Sequence, residues 1–218
     1  MREAVIVSTA RTPIGKAYRG LFNDTEAPTM GGLAIAAAVE RAGVDPAEVD
    51  DVIMGCAMQQ GTQWPNIARL SSLAAGLPSS VAGMSIDRQC SSGLMAVATA
   101  AKQIVMDNAP VVVAGGLESI SLVQNEHMNR FRAIDPHVIE GYPAAYMPMI
   151  DTAEVVAERY GISREECDEY ALQSQNRVAK AQQDGLFDDE IIEVTRMKAV
   201  QDRDTGEISK AEATLLLD

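Results

Sequence analysis

The strongest chemical signal in this sequence is Cys90, which lies where an apolar strand is predicted to end and an apolar helix to begin. The strand is predicted over Val81–Ile86 and the helix from about Cys90 to about Met106. Unpaired N–H groups and the dipole at a helix N-terminus favour a thiolate there. The small residues Ser91-Ser92-Gly93 would let a substrate approach the sulfur closely. The pattern therefore indicates a nucleophile elbow built around cysteine, although a lone cysteine is more often a buried structural thiol.

The remaining cysteines and histidines do not form a second reactive group in the sequence. Cys56 and Cys167 are widely spaced and there is no CxxC, so we expect a reducing cytoplasm, no disulfide framework and no metal site. Cys167 has acidic neighbours that disfavour a thiolate, so we do not choose it as the nucleophile. His127 and His137 are isolated and are interpreted as residues of a surface loop.

The elements that must position Cys90 alternate between strand and helix in the first part of the chain. Apolar strands are predicted at 4–9, 51–56, 81–86 and 110–116, with helices between them at 29–42, 66–75 and 90–106. This order predicts an α/β fold, a layered sheet covered on both faces, with the site at the strand ends. We place a first domain at residues 1–121 and a second at 122–218, where the sequence becomes irregular.

Composition narrows the function classes. The chain has 218 residues, 47% of them hydrophobic, and a formal net charge of −13, which argues against general nucleic-acid binding. It has no apolar run long enough to span a membrane and no signal peptide at its start, so we expect a cytoplasmic protein. It also lacks a Walker-type loop and a Gly-x-Gly-x-x-Gly motif, which leaves nucleotide hydrolysis and dinucleotide binding poorly supported.

Five blocks of the sequence resemble the thiolase family, the acetyl-CoA acetyltransferases and 3-ketoacyl-CoA thiolases. They are the Cys90 segment, the N-terminal run Val5–Gly15, the block Gln63–Arg69 with a change around Trp64, the block Ala114–Ser121, and the segment Met147–Glu154. In the last block the resemblance implies that Met149 lines an acyl pocket, although a core methionine is the alternative. Ile150 stands where the family has a glycine, and that substitution changes the expected shape of this pocket.

The resemblance implies a thiolase-like layered α-β-α fold, first half only, with an inserted and incomplete loop domain over 122–218. The implied activity forms or cleaves 3-ketoacyl-CoA through an acyl group on Cys90, with CoA and acyl-CoA as substrates and no tightly bound cofactor. The family's second half supplies a histidine, an asparagine-held water and a second cysteine, and none of those motifs occurs here.

We therefore expect a fragment or one subunit of a split enzyme, completed by a second chain and assembled as a homo-oligomer, a dimer or tetramer. The alternative is a catalytically incomplete half that acts as a scaffolding or binding subunit. A third hypothesis is a related condensing enzyme such as a ketoacyl synthase. The Ala114–Ser121 block and the loop-domain resemblance argue against this class of enzyme.

Overall fold

The structure is a computed structural model that describes residues 2–215. The chain separates into two compact units, one formed by Met1–Met128 with Glu190–Asp218 and the other by Asn129–Asp189. The predicted division into domains at 1–121 and 122–218 stays a prediction.

The first unit is built on a three-stranded parallel sheet. Its strands are β1 (Asp51–Gly55), β2 (Ala82–Ile86) and β3 (Val112–Gly116), in the order β2-β1-β3. Ile53 in the central strand pairs with Met84 on one side and Ala114 on the other. A parallel sheet with helical connections is what the alternating sequence pattern predicts, so the α/β fold class is confirmed.

Helices cover both faces of this sheet. They are α1 (Ala27–Ala42), α2 (Ile67–Ala74) and α3 (Ser92–Lys102), and α3 continues through a π-helical turn at Gln103–Asp107. Asn66 caps α2, since its side chain accepts a hydrogen bond from the Arg69 N–H. A four-residue helix, α4 (Ile120–Val123), follows β3.

The central strand β1 has a buried side chain on each face of the sheet. Val52 and Met54 pack with α1 and α2 in one core cluster, whereas Ile53 packs with Ala96 and Ala100 of α3 in another. A strand covered on both faces is apolar at successive positions, not at alternate ones. This explains why the sequence of β1 shows no polar alternation.

The predicted first strand at residues 4–9 is wrong. Residues 2–10 do not join the described sheet, and Ile6 is 77% exposed. Val5-Ile6-Val7 is apolar enough for a buried strand, but a strand also requires a neighbour that accepts and donates backbone hydrogen bonds. Within residues 2–215 no strand lies beside this segment.

The remaining elements lie after residue 128. β4 (Val194–Gln201) and β5 (Ile208–Leu215) form an antiparallel hairpin in the first unit. The second unit contains α5 (Pro136–Gly141), α6 (Met149–Tyr160) and α7 (Arg164–Gln183). A capping box begins α7, with reciprocal hydrogen bonds between Ser163 and Glu166. In the part of the chain from 2 to 215, none of the helices has both the length and the apolar character needed to cross a membrane.

One glycine decides how closely α3 approaches the sheet. A Cβ on Gly55, the last residue of β1, would lie 2.5 Å from the backbone N of Gly93 and would also overlap Ser92. The first turn of α3 therefore rests directly on the end of the central strand. This backbone-to-backbone contact holds the turn that carries Cys90 at the carboxyl edge of the sheet.

We predict that Gly55→Ala lowers the free energy of unfolding by about 1–3 kcal/mol, because the added methyl group overpacks a contact between two backbones. Urea unfolding followed by circular dichroism measures this change. Gly93→Ala is the matched control, since a Cβ on Gly93 meets no atom within 4 Å. Equal effects of the two substitutions would contradict the proposed contact.

Candidate active site

The segments that follow β1, β2 and β3 lie at the same edge of the sheet, because the three strands are parallel. Cys56 follows β1, Cys90 follows β2 and Glu118 follows β3. In open α/β sheets the carboxyl edge is where ligands usually bind. This edge is therefore the first place to look for chemistry in the first unit.

The turn that carries Cys90 is fixed by hydrogen bonds on both sides of the cysteine. The Gln89 N–H donates to Asp87 Oδ1 at 2.7 Å, and the Arg88 N–H donates to Ser92 Oγ at 2.9 Å. The Ser92 hydroxyl in turn donates to the Gln89 carbonyl at 2.6 Å. Gln89 has a φ of 49°, a left-handed conformation that is uncommon outside glycine and is found in tight functional turns.

Cys90 is a free, exposed cysteine at this turn. The helix begins two residues later, at Ser92, and not at Cys90 as predicted. The thiol therefore lies just outside the first turn of α3, close to the helix end where unpaired N–H groups favour negative charge. Its exposure excludes the alternative of a buried structural thiol and leaves the sulfur accessible to a substrate.

Cys56 is buried, and its surroundings suppress its reactivity. Burial first, and then the negative charge of Glu118, raise the pKa of the Cys56 thiol to about 12. The Sγ–H donates to Glu118 Oε1 at 3.8 Å. At neutral pH Cys56 therefore stays protonated. Cys56 is therefore a core residue and not a nucleophile.

Glu118 joins the ends of β1 and β3 through a network that the sequence did not reveal. Its carboxylate accepts hydrogen bonds from Ala57 N–H at 2.9 Å, Met58 N–H at 3.3 Å and Gln63 Nε2 at 2.6 Å. Gln63 is fully buried, donates to the Met58 carbonyl at 2.5 Å and accepts from the Ser119 N–H. A charged carboxylate held by several donors stabilises both loops beside the Cys90 turn. Glu118 lies in the Ala114–Ser121 block and Gln63 begins the Gln63–Arg69 block, but nothing in the sequence indicates that the two side chains meet.

Met149, the predicted acyl-pocket residue, belongs to the second unit. It is the first residue of α6 and is 70% exposed. This exposure excludes the alternative of a core methionine. Its role in binding an acyl group stays a prediction.

The two histidines are exposed and each lies near one glutamate. His127 Nε2 is 3.6 Å from Glu126 Oε1, and His137 Nδ1 is 3.7 Å from Glu140 Oε2. Among residues 2–215 no three metal-ligating side chains come together. Within residues 2–215 neither histidine therefore belongs to a cluster of metal ligands.

Cys56 should differ sharply from the other two cysteines in its rate of alkylation by iodoacetamide at pH 8. We expect Cys90 and Cys167 to react in the folded chain, because both are exposed, and Cys56 to react at least about a hundredfold more slowly. The rate at Cys56 should rise about tenfold for each pH unit up to about 12, since only the thiolate reacts. Peptide mass spectrometry distinguishes the three sites, and labelling in urea is the control. Comparable labelling of Cys56 in the folded chain would contradict the assignment.

Glu118→Gln should destabilise the chain by about 1–3 kcal/mol, because an amide cannot satisfy all the N–H donors that face this carboxylate. Glu126→Gln is the matched control, since the Glu126 side chain is exposed and its only described partner is His127. Urea unfolding measures both variants. An unchanged free energy of unfolding in Glu118→Gln would show that the network does not hold the two strand ends.

The chain is similar to known proteins over most of its length. A family model described as the thiolase N-terminal domain matches residues 4–216. The chain is 41% identical over 194 residues to a 3-ketoacyl-CoA thiolase of Bacillus subtilis, covering 89% of this chain and 49% of that protein. It is 42% identical over 204 residues to an acetyl-CoA acetyltransferase of Cupriavidus necator, covering 89% and 51%.

A solved structure has the same fold. The crystal structure of the Bacillus anthracis acetyl-CoA acetyltransferase superimposes with a TM-score of 0.75 at 36% identity, covering 98% of this chain and 54% of that chain. The chain thus spans about half the length of the relatives it matches. The match of the family model to nearly the whole sequence shows that the chain belongs to the thiolase family and corresponds to its N-terminal domain.

Proposed function

We propose that this chain supplies the nucleophilic half of a CoA-dependent acyltransferase that forms or cleaves 3-ketoacyl-CoA. The observation that carries the proposal is the exposed Cys90 thiol on a fixed turn just before α3. Cys56, by contrast, stays protonated and buried. The names of relatives, a thiolase and acetyl-CoA acetyltransferases, describe the same class of reaction.

The proposed first step is transfer of an acyl group to the protein. Cys90 Sγ attacks the thioester carbonyl, the new S–C bond forms, and the bond to the CoA sulfur breaks. The proton of Cys90 passes through a base to the leaving CoA thiolate. N–H groups at the start of α3 are suited to stabilise the negative oxygen of the tetrahedral intermediate.

The second step proposed is transfer of the acyl group from Cys90 to a carbon nucleophile or back to CoA. Claisen condensation needs a base to remove a proton from the second acetyl group, and thiolysis needs a base to activate CoA. We propose that these groups, a histidine, an asparagine-held water and a second cysteine, come from the family's second half. That half is provided by a longer chain or by a separate partner.

Substrate recognition is proposed to involve Met149 at the start of α6. The resemblance assigns this methionine to the acyl pocket, and its exposure makes it available to a ligand. Ile150 is larger than the glycine expected at that position, so the pocket should favour a different acyl shape. We also propose a cytoplasmic homo-oligomer, a dimer or tetramer, that uses CoA thioesters as substrates and holds no tightly bound cofactor.

Acylation of Cys90 is tested with acetyl-CoA or acetoacetyl-CoA, followed by peptide mass spectrometry. The test uses the chain itself and a chimera in which residues 2–215 replace the matching part of the Bacillus anthracis enzyme. We expect an acetyl group on Cys90 in the chimera, and thiolysis at least about a thousandfold slower in Cys90→Ala. Cys167→Ala is the control, and it should keep both properties.

The result also separates the two candidate functions. A folded chimera, recognised by protection of Cys56 from alkylation, that carries no acetyl group would contradict the acyltransferase proposal. It would support the alternative of a scaffolding or binding half. Acetylation of the chain alone would mean that this chain suffices for the first step, without the family's second half.

A further inference from the structure

The segment that carries the exposed thiol, residues 87–91, has both of its ends fixed on the end of β1. We refer to it as the cysteine turn. On the β2 side, Ile86 pairs with Gly55, and the Ile86 carbonyl accepts a hydrogen bond from the Cys56 N–H at 3.0 Å. On the α3 side, the backbone of Ser92 lies directly against Gly55. The cysteine turn therefore connects two points that are held by the same strand end.

Gln89 is the point of strain inside the cysteine turn. Its φ of 49° lies in the left-handed region, which is unfavourable for a residue that has a side chain. Such a conformation persists only where the surrounding structure holds it. If Gln89 relaxed, the backbone that follows it would rotate and carry the Cys90 thiol with it. The position of the sulfur therefore depends on the contacts that hold Gln89.

Two side chains hold Gln89, one from each end of the turn. Asp87 Oδ1 accepts a hydrogen bond from the Gln89 N–H at 2.7 Å, and the Ser92 hydroxyl donates to the Gln89 carbonyl at 2.6 Å. The same Ser92 Oγ accepts from the Arg88 N–H at 2.9 Å, so that one hydroxyl bridges two backbone groups across the turn. Both backbone polar groups of Gln89 are thus bonded to side chains whose own backbones are anchored at the sheet.

The neighbouring serine, Ser91, does not share this arrangement. It occupies the N-cap position of α3, where serine usually caps the helix, yet its side chain forms no capping hydrogen bond. Ser91 is exposed, whereas Ser92 is only 5% exposed. Two adjacent residues of the same type therefore differ in what their hydroxyls do, and Ser91 offers a matched control for Ser92.

We propose that Ser92 and Asp87 are positioning residues for Cys90, which hold Gln89 in its left-handed conformation and so keep the thiol oriented for attack on a thioester. This inference rests on the proposed function, because it assigns their effect to acyl transfer. Attack on a carbonyl requires a narrow range of distance and direction, so a small displacement of the sulfur slows it. A small alkylating reagent that approaches the exposed sulfur from several directions sets no such requirement.

The test compares acyl transfer with alkylation at Cys90 in the chimera described above. In Ser92→Ala we expect kcat for thiolysis of acetoacetyl-CoA to fall about ten- to a hundredfold, with KM changed less than about twofold. Alkylation of Cys90 by iodoacetamide should change less than about threefold, because the thiol stays exposed. Ser91→Ala should change none of these quantities by more than about twofold.

Conservative variants separate positioning from a general loss of structure. Asp87→Ala should lower kcat as Ser92→Ala does, whereas Asp87→Asn should restore it, because an amide oxygen can still accept from the Gln89 N–H. Ser92→Thr keeps the hydroxyl and should retain kcat within about threefold. If its added methyl group prevents folding beside Gly55, loss of the protection of Cys56 from alkylation reports this. The two Asp87 variants then decide the question, since that side chain is exposed.

Three results would overturn the proposal. The first is a kcat in Ser92→Ala and Asp87→Ala equal to that of the unmutated chimera. The second is an equal fall in acyl transfer and in alkylation of Cys90, which would mean that the substitutions hide the thiol and do not misplace it. The third is a loss in Asp87→Asn as large as in Asp87→Ala, which would assign the effect to charge. A folded, unmutated chimera that takes no acetyl group would overturn the proposed function, and this inference with it.

Discussion

The close contact between the end of β1 and the start of α3 is the constraint on which the site depends. Gly55 lacks a side chain, so the backbone of Ser92 and Gly93 lies directly against it. This contact fixes the first turn of α3, and the hydrogen bonds of Ser92 then fix the turn before it. The position of the Cys90 thiol is thus a consequence of packing between two backbones.

Burial and charge suppress the reactivity of one of the two cysteines at this edge of the sheet. Glu118 holds the loops after β1 and β3 together, and the same carboxylate, with burial, keeps Cys56 protonated. Cys90 lies on a neighbouring strand end, exposed, beside a helix N-terminus that favours negative charge. The sheet edge therefore combines a rigid, negatively charged support with one accessible thiol.

Much of this site could be predicted from local sequence, because strand, turn and helix signals around Cys90 lie within about twenty residues. The contact at Gly55 and the Gln63–Glu118 network could not, since they depend on which strands become neighbours. The strand expected at 4–9 failed for the same reason. Its apolar residues suit a buried strand, but within residues 2–215 no strand lies beside it. Local pattern predicts an element, and long-range pairing decides whether it forms.

The most direct test of the central claim is the alkylation rate of Cys90 in the chimera, measured with and without an acetyl-CoA analogue that has a non-cleavable thioether. The account predicts that the rate at Cys90 falls in proportion to occupancy by the analogue, while the rate at Cys167 is unchanged. An unchanged rate at Cys90 under saturating analogue, or an equal fall at both cysteines, would contradict it.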